Sequence, residues 1–281
     1  MERIGIIGLG RMGSAMAARF AAQGVPVTGW TRSGRAVEGM LQAPDLVALA
    51  LASDILILSL FDDAAVAEVL DTLLPLDIRG RLIVETSTVV PTLLTDRAAA
   101  FAAAGAAVVD APVSGGPDMV LAGTCGIFMG GAPDAAARAQ AVLAALSGRI
   151  FHVGPLGTGL VMKTINNAMM QSYATALTDM LRLAKRAGLP LETALGILCG
   201  GPAAMPMIRD RLPKILGEDT EVGFPMSGIL KDNDVFRRVA HAFGVETPGL
   251  ALAAERYRTA IAEGFGDADP AALIAAAYHD A

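Results

Sequence analysis

Residues 3–23 read RIGIIGLGRMGSAMAARFAAQ, and this stretch decides the fold. Arg3 to Ile7 is a short β-rich run, it breaks at Gly8-Leu9-Gly10-Arg11-Met12-Gly13, and Ser14 to Gln23 is alanine-rich and helical. Strand, GxGxxG and helix in that order are the context a dinucleotide fingerprint needs. Gly8 permits the tight turn, Gly10 lets the backbone approach a pyrophosphate, and Gly13 lets the helix pack closely on the strand. The helix N-terminus, with Leu9, Arg11 and Met12 in the same loop, adds amide groups and a positive dipole end for the phosphates. A purely structural glycine turn is the alternative.

The next strand, Val25 to Trp30, ends in Thr31-Arg32-Ser33-Gly34-Arg35. An acid at this place takes the ribose 2′-hydroxyl of NAD, whereas an arginine accommodates the 2′-phosphate of NADP. This loop has arginine and no acid, so the expected cofactor is NADP, with NADPH preferred over NADH. Arg32 is the expected phosphate ligand, helped by Ser33, Thr31 and Arg35 through charge-assisted and hydroxyl hydrogen bonds. Two solvated arginines on an exposed loop is the other reading.

Strand-like runs at Ile55 to Leu60, Leu82 to Glu85, Ala107 to Val109 and Gly126 to Met129 alternate with helical stretches at Ala64 to Leu74, Thr92 to Ala104 and Pro133 to Leu146. This βαβα rhythm implies an α/β domain of the Rossmann type, a doubly wound and mostly parallel sheet. Ile150 to Val153 is a further strand that closes it. Ligands of such sheets lie beyond the carboxyl ends of the strands. Leu60-Phe61-Asp62, Thr86-Ser87-Thr88 and the segment Ala111 to Gly116 fall there. In the last, the Ser114 hydroxyl and the backbone amides of Gly115 and Gly116 suit a carboxylate.

Gly154 to Ala187 reads GPLGTGLVMKTINNAMMQSYATALTDMLRLAKRA, a glycine-broken turn followed by one long helix. Lys163 lies near its start, with Asn167 one turn on and on the same face. Taken alone, Lys163 also reads as a snorkelling surface lysine. Beyond Ala187 the strand alternation stops. Leu191 to Cys199, Met205 to Leu216, Met226 to Phe243 and Leu250 to Glu263 read as helices between Gly/Pro punctuation. The expected domains are therefore residues 1–158, NADP-binding, and residues 159–281, an all-α substrate and oligomerisation domain, joined by the long interdomain helix. Lys231-Asp232-Asn233-Asp234 in the second half reads, by itself, as a solvated helix face.

With 281 residues, 53% of them hydrophobic, the chain can bury a substantial core. Its net charge of −6 and the lack of a basic block argue against a nucleic-acid surface. Cys125 and Cys199 have no CxxC spacing, and His152, His241 and His279 are scattered, so neither a disulfide framework nor a metal site is expected. The longest apolar run, Val47 to Phe61, is interrupted by Ser53 and Asp54 and too short for a bilayer. The apolar N-terminal run enters a glycine turn rather than a cleavage site, and a cytoplasmic protein is expected.

The motifs GLGRMG (8–13), DAPVSGG (110–116), GPLGTGLVMKTINN (154–167) and KDND (231–234), in this order along essentially the whole chain, resemble those of the β-hydroxyacid dehydrogenases. That group includes 3-hydroxyisobutyrate dehydrogenase and tartronate semialdehyde reductase, and is related to 6-phosphogluconate dehydrogenase and imine reductases. The resemblance implies that Lys163 is the catalytic lysine, that Asn167 helps place the substrate, and that Ser114 and Gly115 receive its carboxylate. It further implies that Leu60, Phe61 and Thr88 line the cofactor site, and that Lys231 and Asp232 reach into the cleft. Phe61 stands where proline is common, Thr31 where asparagine is usual, and Asn233 where leucine is common, which leaves the substrate open.

The implied reaction is NADP-dependent hydride transfer between a small β-hydroxyacid and its semialdehyde or keto partner, with Lys163 as general acid and base. Imine reduction is an alternative, although aspartate or tyrosine is typical there at the lysine position. A non-catalytic dinucleotide-binding module is the second alternative. The expected partners are a small carboxylate-bearing substrate and further copies of the chain in a homodimer or homotetramer, with no nucleic acid and no membrane. Specificity residues are expected among Met119 to Leu121, Gln171 and the 200–210 segment.

Overall fold

A computed structural model describes residues 2–35, 37 and 40–280. Two compact units compose it, Met1–Thr164 and Ile165–Ala281. The division falls within the long helix, six residues after the expected boundary at 158.

The first unit holds strands β1 (Ile4–Ile7), β2 (Val27–Trp30), β3 (Leu41–Gln42), β4 (Ile55–Leu58), β5 (Leu82–Glu85), β6 (Ala107–Asp110), β7 (Val113–Ser114), β8 (Gly126–Gly130) and β9 (Arg149–Gly154). Between them run helices α1 (Arg11–Ala22), α2 (Leu46–Ala52), α3 (Asp63–Leu73), α4 (Thr92–Thr95), α5 (Ala98–Ala103), α6 (Pro117–Ala122) and α7 (Pro133–Leu143). The strands form one sheet in the order β3-β2-β1-β4-β5-β6-β8-β7, with β9 also paired to β8. Pairing is parallel from β3 to β6, antiparallel where β8 meets β6 and β7, and parallel again between β8 and β9.

Both faces of the central strands are buried, so alternate residues serve two cores. Ile4, Ile6, Ile55, Ile57, Leu82 and Val84 join α1 and α7 through Met16, Phe20 and Leu143. Ile7, Leu56, Leu58 and Ile83 join α2, α3 and α5 through Leu49, Leu70 and Phe101. Such two-sided burial is why these strands are continuous apolar runs rather than alternating ones.

The apolar stretch Val47 to Phe61 divides into α2 and β4. Asp45 caps α2, its Oδ1 accepting from Ala48 N at 2.7 Å, and Ser53 returns to extended backbone. The expected helix from Thr92 to Ala104 is two helices, because Arg97 N bonds Leu94 O in the tighter i→i−3 manner at 3.1 Å. Its guanidinium meanwhile reaches Asp71 and Leu93 O.

The long helix α8 runs Thr158–Arg186, followed in the second unit by α9 (Leu191–Gly200), α10 (Pro206–Ile215), α11 (Met226–Ala242), α12 (Pro248–Ala260) and α13 (Pro270–His279). Ala174, Leu177 and Leu181, at helical spacing on α8, pack with Leu195, Ile208, Ile215 and Ile274. The helix expected to end at Glu263 passes into a π-helical turn, Ile261–Phe265, where Gly264 takes φ +96°. A last helix beyond the expected four, α13, is capped by Asp269 through Ala271 N at 3.1 Å, ahead of Pro270 in the first turn. Among the described residues no helix is long and apolar enough to cross a membrane, and no His/Cys/Asp/Glu group could hold a metal.

Strands β5 and β6 end side by side in acid, because their register sets Glu85 beside Asp110, and both are fully buried. Burial pushes the Glu85 carboxyl up to about 7, opposed by the bond its Oε1 accepts from Ser87 N at 2.5 Å and reinforced by the Asp110 and Asp63 charges. A carboxyl raised from 4.5 in this way holds more protons in the native than in the unfolded chain, so its contribution to stability is lost as pH rises towards about 7. Glu85→Gln should remove that loss. Urea midpoints of the variant, compared with wild type, are expected to gain between about pH 5 and about pH 8, and parallel pH profiles would contradict the assignment.

Candidate active site

The sheet order turns back at β1, which has β2 on one side and β4 on the other, so the crevice of a doubly wound fold opens beyond the carboxyl ends of β1 and β4. Gly8 leaves β1 there with φ +99°, and a Cβ at this position would collide with the Ser59 carbonyl at the end of β4. A Cβ on Gly13 would strike the Gly8 carbonyl, whereas a Cβ on Gly10 would meet nothing within 4 Å among the described residues. The three glycines thus divide the work: two close a tight strand–helix corner, and one leaves the backbone open in front of the α1 N-terminus. Met12 packs on the adjoining core through its side chain.

A cavity of about 450 Å³ lies at this corner, lined by Leu9, Gly10, Arg11, Ser14, Thr31, Ser33 and Arg35. Room beside an open glycine, the N-terminus of a helix and two arginines fit a dinucleotide's phosphates. Arg35 is anchored by donating Nη2 to Leu9 O at 2.8 Å. Arg32 is outside this lining; its Nη1 pairs instead with Glu68 Oε2 at 3.0 Å, both side chains being exposed. Ser14, whose hydroxyl donates to Leu9 O at 2.9 Å, is an additional lining residue that the helical reading of its stretch concealed.

Leu60 and Phe61 follow β4, and Thr88 follows β5, all on the carboxyl side of the sheet. Leu60 N donates to Ser87 Oγ at 2.8 Å, tying the two loops together. The Phe61 side chain is 65% exposed.

Next along the sheet, Asp110 ends β6. Its Oδ1 accepts from Gly157 N and its Oδ2 from Leu160 N, each at 2.7 Å, so one carboxylate caps the first turn of α8. Burial pushes Asp110 up to about 6, with the bonds from Gly157, Leu160 and Gly159 amides opposing the rise. Glycine is required around it: a Cβ on Gly159 would meet the Phe128 carbonyl and Asp110.

One turn beyond this cap, Lys163 is 6% exposed, and its Nζ donates to Val113 O at 2.7 Å. Val113 immediately precedes Ser114 and Gly115. The structure therefore brings the lysine from residue 163 to the loop at residues 113–116. Gly115 has φ +135°, a Cβ on Gly116 at the start of α6 would meet nothing within 4 Å among the described residues, and the strand pairing of β7 ends at Ser114.

In the second unit, Asn167 and Asp232 line a separate cavity of about 100 Å³. Asn167 Oδ1 accepts from Asn166 Nδ2 at 2.9 Å. Lys231 Nζ and Asp232 Oδ1 form an ion pair of 2.6 Å on α11, so this charge cluster is partly buried rather than a solvated face.

Comparison with known proteins follows this division. Residues 3–154 match the family described as the NAD binding domain of 6-phosphogluconate dehydrogenase, and residues 157–277 match that described as NAD-binding of NADP-dependent 3-hydroxyisobutyrate dehydrogenase. The chain is 30% identical over 281 residues to 2-(hydroxymethyl)glutarate dehydrogenase of Eubacterium barkeri, an alignment covering 97% of this chain and 93% of the other. It is 29% identical over 286 residues to NAD-dependent L-serine dehydrogenase of Pseudomonas aeruginosa, covering 96% and 95%. The solved structure of Mycobacterium tuberculosis 3-hydroxyisobutyrate dehydrogenase with L-serine superposes with a TM-score of 0.87 at 26% identity, over 98% of each chain. With a dinucleotide corner on the sheet and a buried lysine at the DAPVSGG loop, the chain is a nicotinamide-dinucleotide oxidoreductase of the CH–OH dehydrogenase class and belongs to the β-hydroxyacid dehydrogenase family.

Proposed function

We propose that the chain interconverts a small β-hydroxyacid and its semialdehyde or keto partner with NADP(H), using Lys163 as general acid and base. The observation that carries this reading is the buried Lys163 Nζ, held at 2.7 Å by the carbonyl of Val113 next to Ser114 and Gly115. Residues 1–158 act as the NADP-binding domain and residues 159–281 as the substrate and oligomerisation domain.

A bound nicotinamide dinucleotide supplies or accepts the hydride. The Ser114 hydroxyl and the Gly115 and Gly116 amides hold the substrate carboxylate, which removes rotational freedom before reaction. In reduction the substrate oxygen gains alkoxide character, and Lys163 both stabilises that charge and donates the proton. In oxidation the lysine takes the hydroxyl proton back. Asn167, one turn along α8, holds the substrate hydroxyl in line. Lysine at this position favours a hydroxyacid over an imine, since the acid–base task here is at oxygen.

Arg35 with Thr31 and Ser33 receives the 2′-phosphate, and Arg32 joins by leaving its exposed pair with Glu68, which costs little. Exposed apolar side chains at Met169, Met180, Leu183 and Ile197 support a homodimer or homotetramer; light scattering of the purified chain should give a multiple of the monomer mass, and a monomer would refute it.

Lys163→Ala is expected to lower kcat by about 10²–10⁴-fold while NADPH affinity, measured by fluorescence titration, stays near wild type. Near-normal turnover would exclude the proton-transfer role. For the phosphate, Arg35→Ala should weaken NADPH binding more than Arg32→Ala does, and should weaken NADPH binding more than NADH binding, whose smaller loss reports the lost tie to Leu9 O. A larger effect at Arg32 would return the phosphate to that residue, and a wild-type preference for NADH would remove it from both.

A further inference from the structure

The start of α8 has no cap of its own. Gly157, which precedes the helix, carries no side chain and takes φ +93°, and the hydroxyl of Thr158 is spent donating to Pro155 O at 2.7 Å. A helix beginning in this way leaves its first amides without a local acceptor. Asp110 supplies one from a strand end 47 to 50 positions earlier, accepting from Gly157 N and Leu160 N at 2.7 Å each. The rotation of α8 about its axis is therefore set by a residue of the sheet rather than by the sequence of the helix.

That rotation has a chemical consequence. Lys163 follows Leu160 by three residues, which places the two on one face of the helix. Its Nζ donates to Val113 O at 2.7 Å, and Val113 follows Asp110 by the same three positions. Residues 110–113 thus hold one turn of α8 at two points, a carboxylate on its amides and a carbonyl on its lysine. The segment is itself tied to the sheet: Ala111 N donates to Glu85 O at 2.7 Å, Phe128 N to Pro112 O at 3.2 Å, and Val113 pairs with Ile127. The approach is close, because a Cβ on Gly130 or Gly159 would strike the Asp110 carboxylate. A lysine loses much rotamer freedom when its amine is held in one place, so aiming it at a single carbonyl requires a fixed backbone.

The neighbouring acid shows what Asp110 adds. Glu85 lies beside it in the register of β5 and β6 and is equally buried. Its Oε1 accepts from Ser87 N, and its Oε2 has no hydrogen-bond partner among the described residues. Two buried acids end adjacent strands, and the carboxyl that meets the start of α8 is that of Asp110.

We propose that Asp110 is a positioning residue for Lys163: its carboxylate caps α8 from the end of β6, and the rotation this imposes presents the amine at Val113 O, beside Ser114 and Gly115. The inference rests on the acid–base role proposed for Lys163 above and names the residue on which that role depends.

The test is a double-mutant cycle in the full-length enzyme, Asp110→Asn with Lys163→Ala, assayed by NADP+ reduction with 3-hydroxyisobutyrate and with L-serine. With Lys163 present, Asp110→Asn should lower kcat by about 10²-fold while NADPH affinity stays near wild type. In the Lys163→Ala background it should cost no more than about twofold further, since a misplaced lysine and an absent one are equivalent. Equal losses in both backgrounds, or no loss, overturn the proposal. Glu85→Gln, the same acid-to-amide change at the adjacent strand end, should leave kcat near wild type; a loss equal to that of Asp110→Asn would make the effect one of core polarity and overturn it too. Amine labelling of Lys163, followed by peptide mass spectrometry, needs no turnover and so separates the two readings. Lys163 should label faster in Asp110→Asn than in wild type, and unchanged labelling overturns the positioning. Faster labelling in a protein whose wild type oxidises neither hydroxyacid supports the positioning and counts against the dehydrogenase reading alone. Should Asp110→Asn not fold, Asp110→Ser, whose smaller side chain leaves room for a water at the two amides, replaces it throughout. Hydrogen exchange of the wild-type Gly157 and Leu160 amides at the rate of open helix-start amides would overturn the proposal without any variant.

Discussion

The carboxylate of Asp110 sits at the end of β6, fully buried, and accepts the amides of Gly157 and Leu160. Much of the first unit follows from that one contact. A buried carboxylate is costly unless its lone pairs are filled, and the start of a helix supplies unpaired amides and a favourable dipole. The pairing therefore fixes where α8 begins and how it is rotated. One turn later that rotation delivers Lys163 to the carbonyl of Val113. Close approach is a condition of the contact, which is why Gly130 and Gly159 stand where a Cβ would meet Asp110 or the neighbouring backbone. Residues separated by about fifty positions thus become one group without any direct sequence signal joining them.

The same economy holds at the other end of the crevice. Gly8 and Gly13 bring β1, β4 and α1 into backbone contact, and the open flank of Gly10 is what remains for a ligand. Burial on both faces makes the central strands rigid, and the loops at their carboxyl ends inherit that rigidity. Leu60 N bonded to Ser87 Oγ is one such tie, and Arg35 bonded to Leu9 O is another. Polar groups are consumed in tying these loops to one another at the carboxyl ends of the strands.

In the second unit the logic is inverted. Buried amides are paired oxygen to nitrogen along a short chain from Leu250 O through Asn233 to Gln171. Such a chain orients each amide in turn, and its last donor, Gln171 Nε2, reaches Ile229 O at 3.5 Å. Asn233 Oδ1, buried and without a hydrogen-bond partner among the described residues, is the cost of that orientation.

Periodicity and punctuation alone determined the α/β class, the strand–glycine–helix corner and the change to an all-helical second half, because each is written in residues close together in the chain, whereas Lys163 was singled out only by the resemblance of its motif to a family. The short pieces β3, β7 and α6 escaped that reading, since two to six residues carry no period, and α2 was hidden inside a run that looked uniformly apolar. Only tertiary structure decided which arginine of residues 31–35 faces the cavity, for the loop's spacing is equally compatible with Arg32 and Arg35, and Glu68, thirty-six positions away, captures one of them. Tertiary structure likewise joined Asp110 to α8 and gathered Gln171, Arg211 and Tyr257 around one space. Those assignments depend on which buried polar groups satisfy one another, a property of the packed chain that no local pattern records.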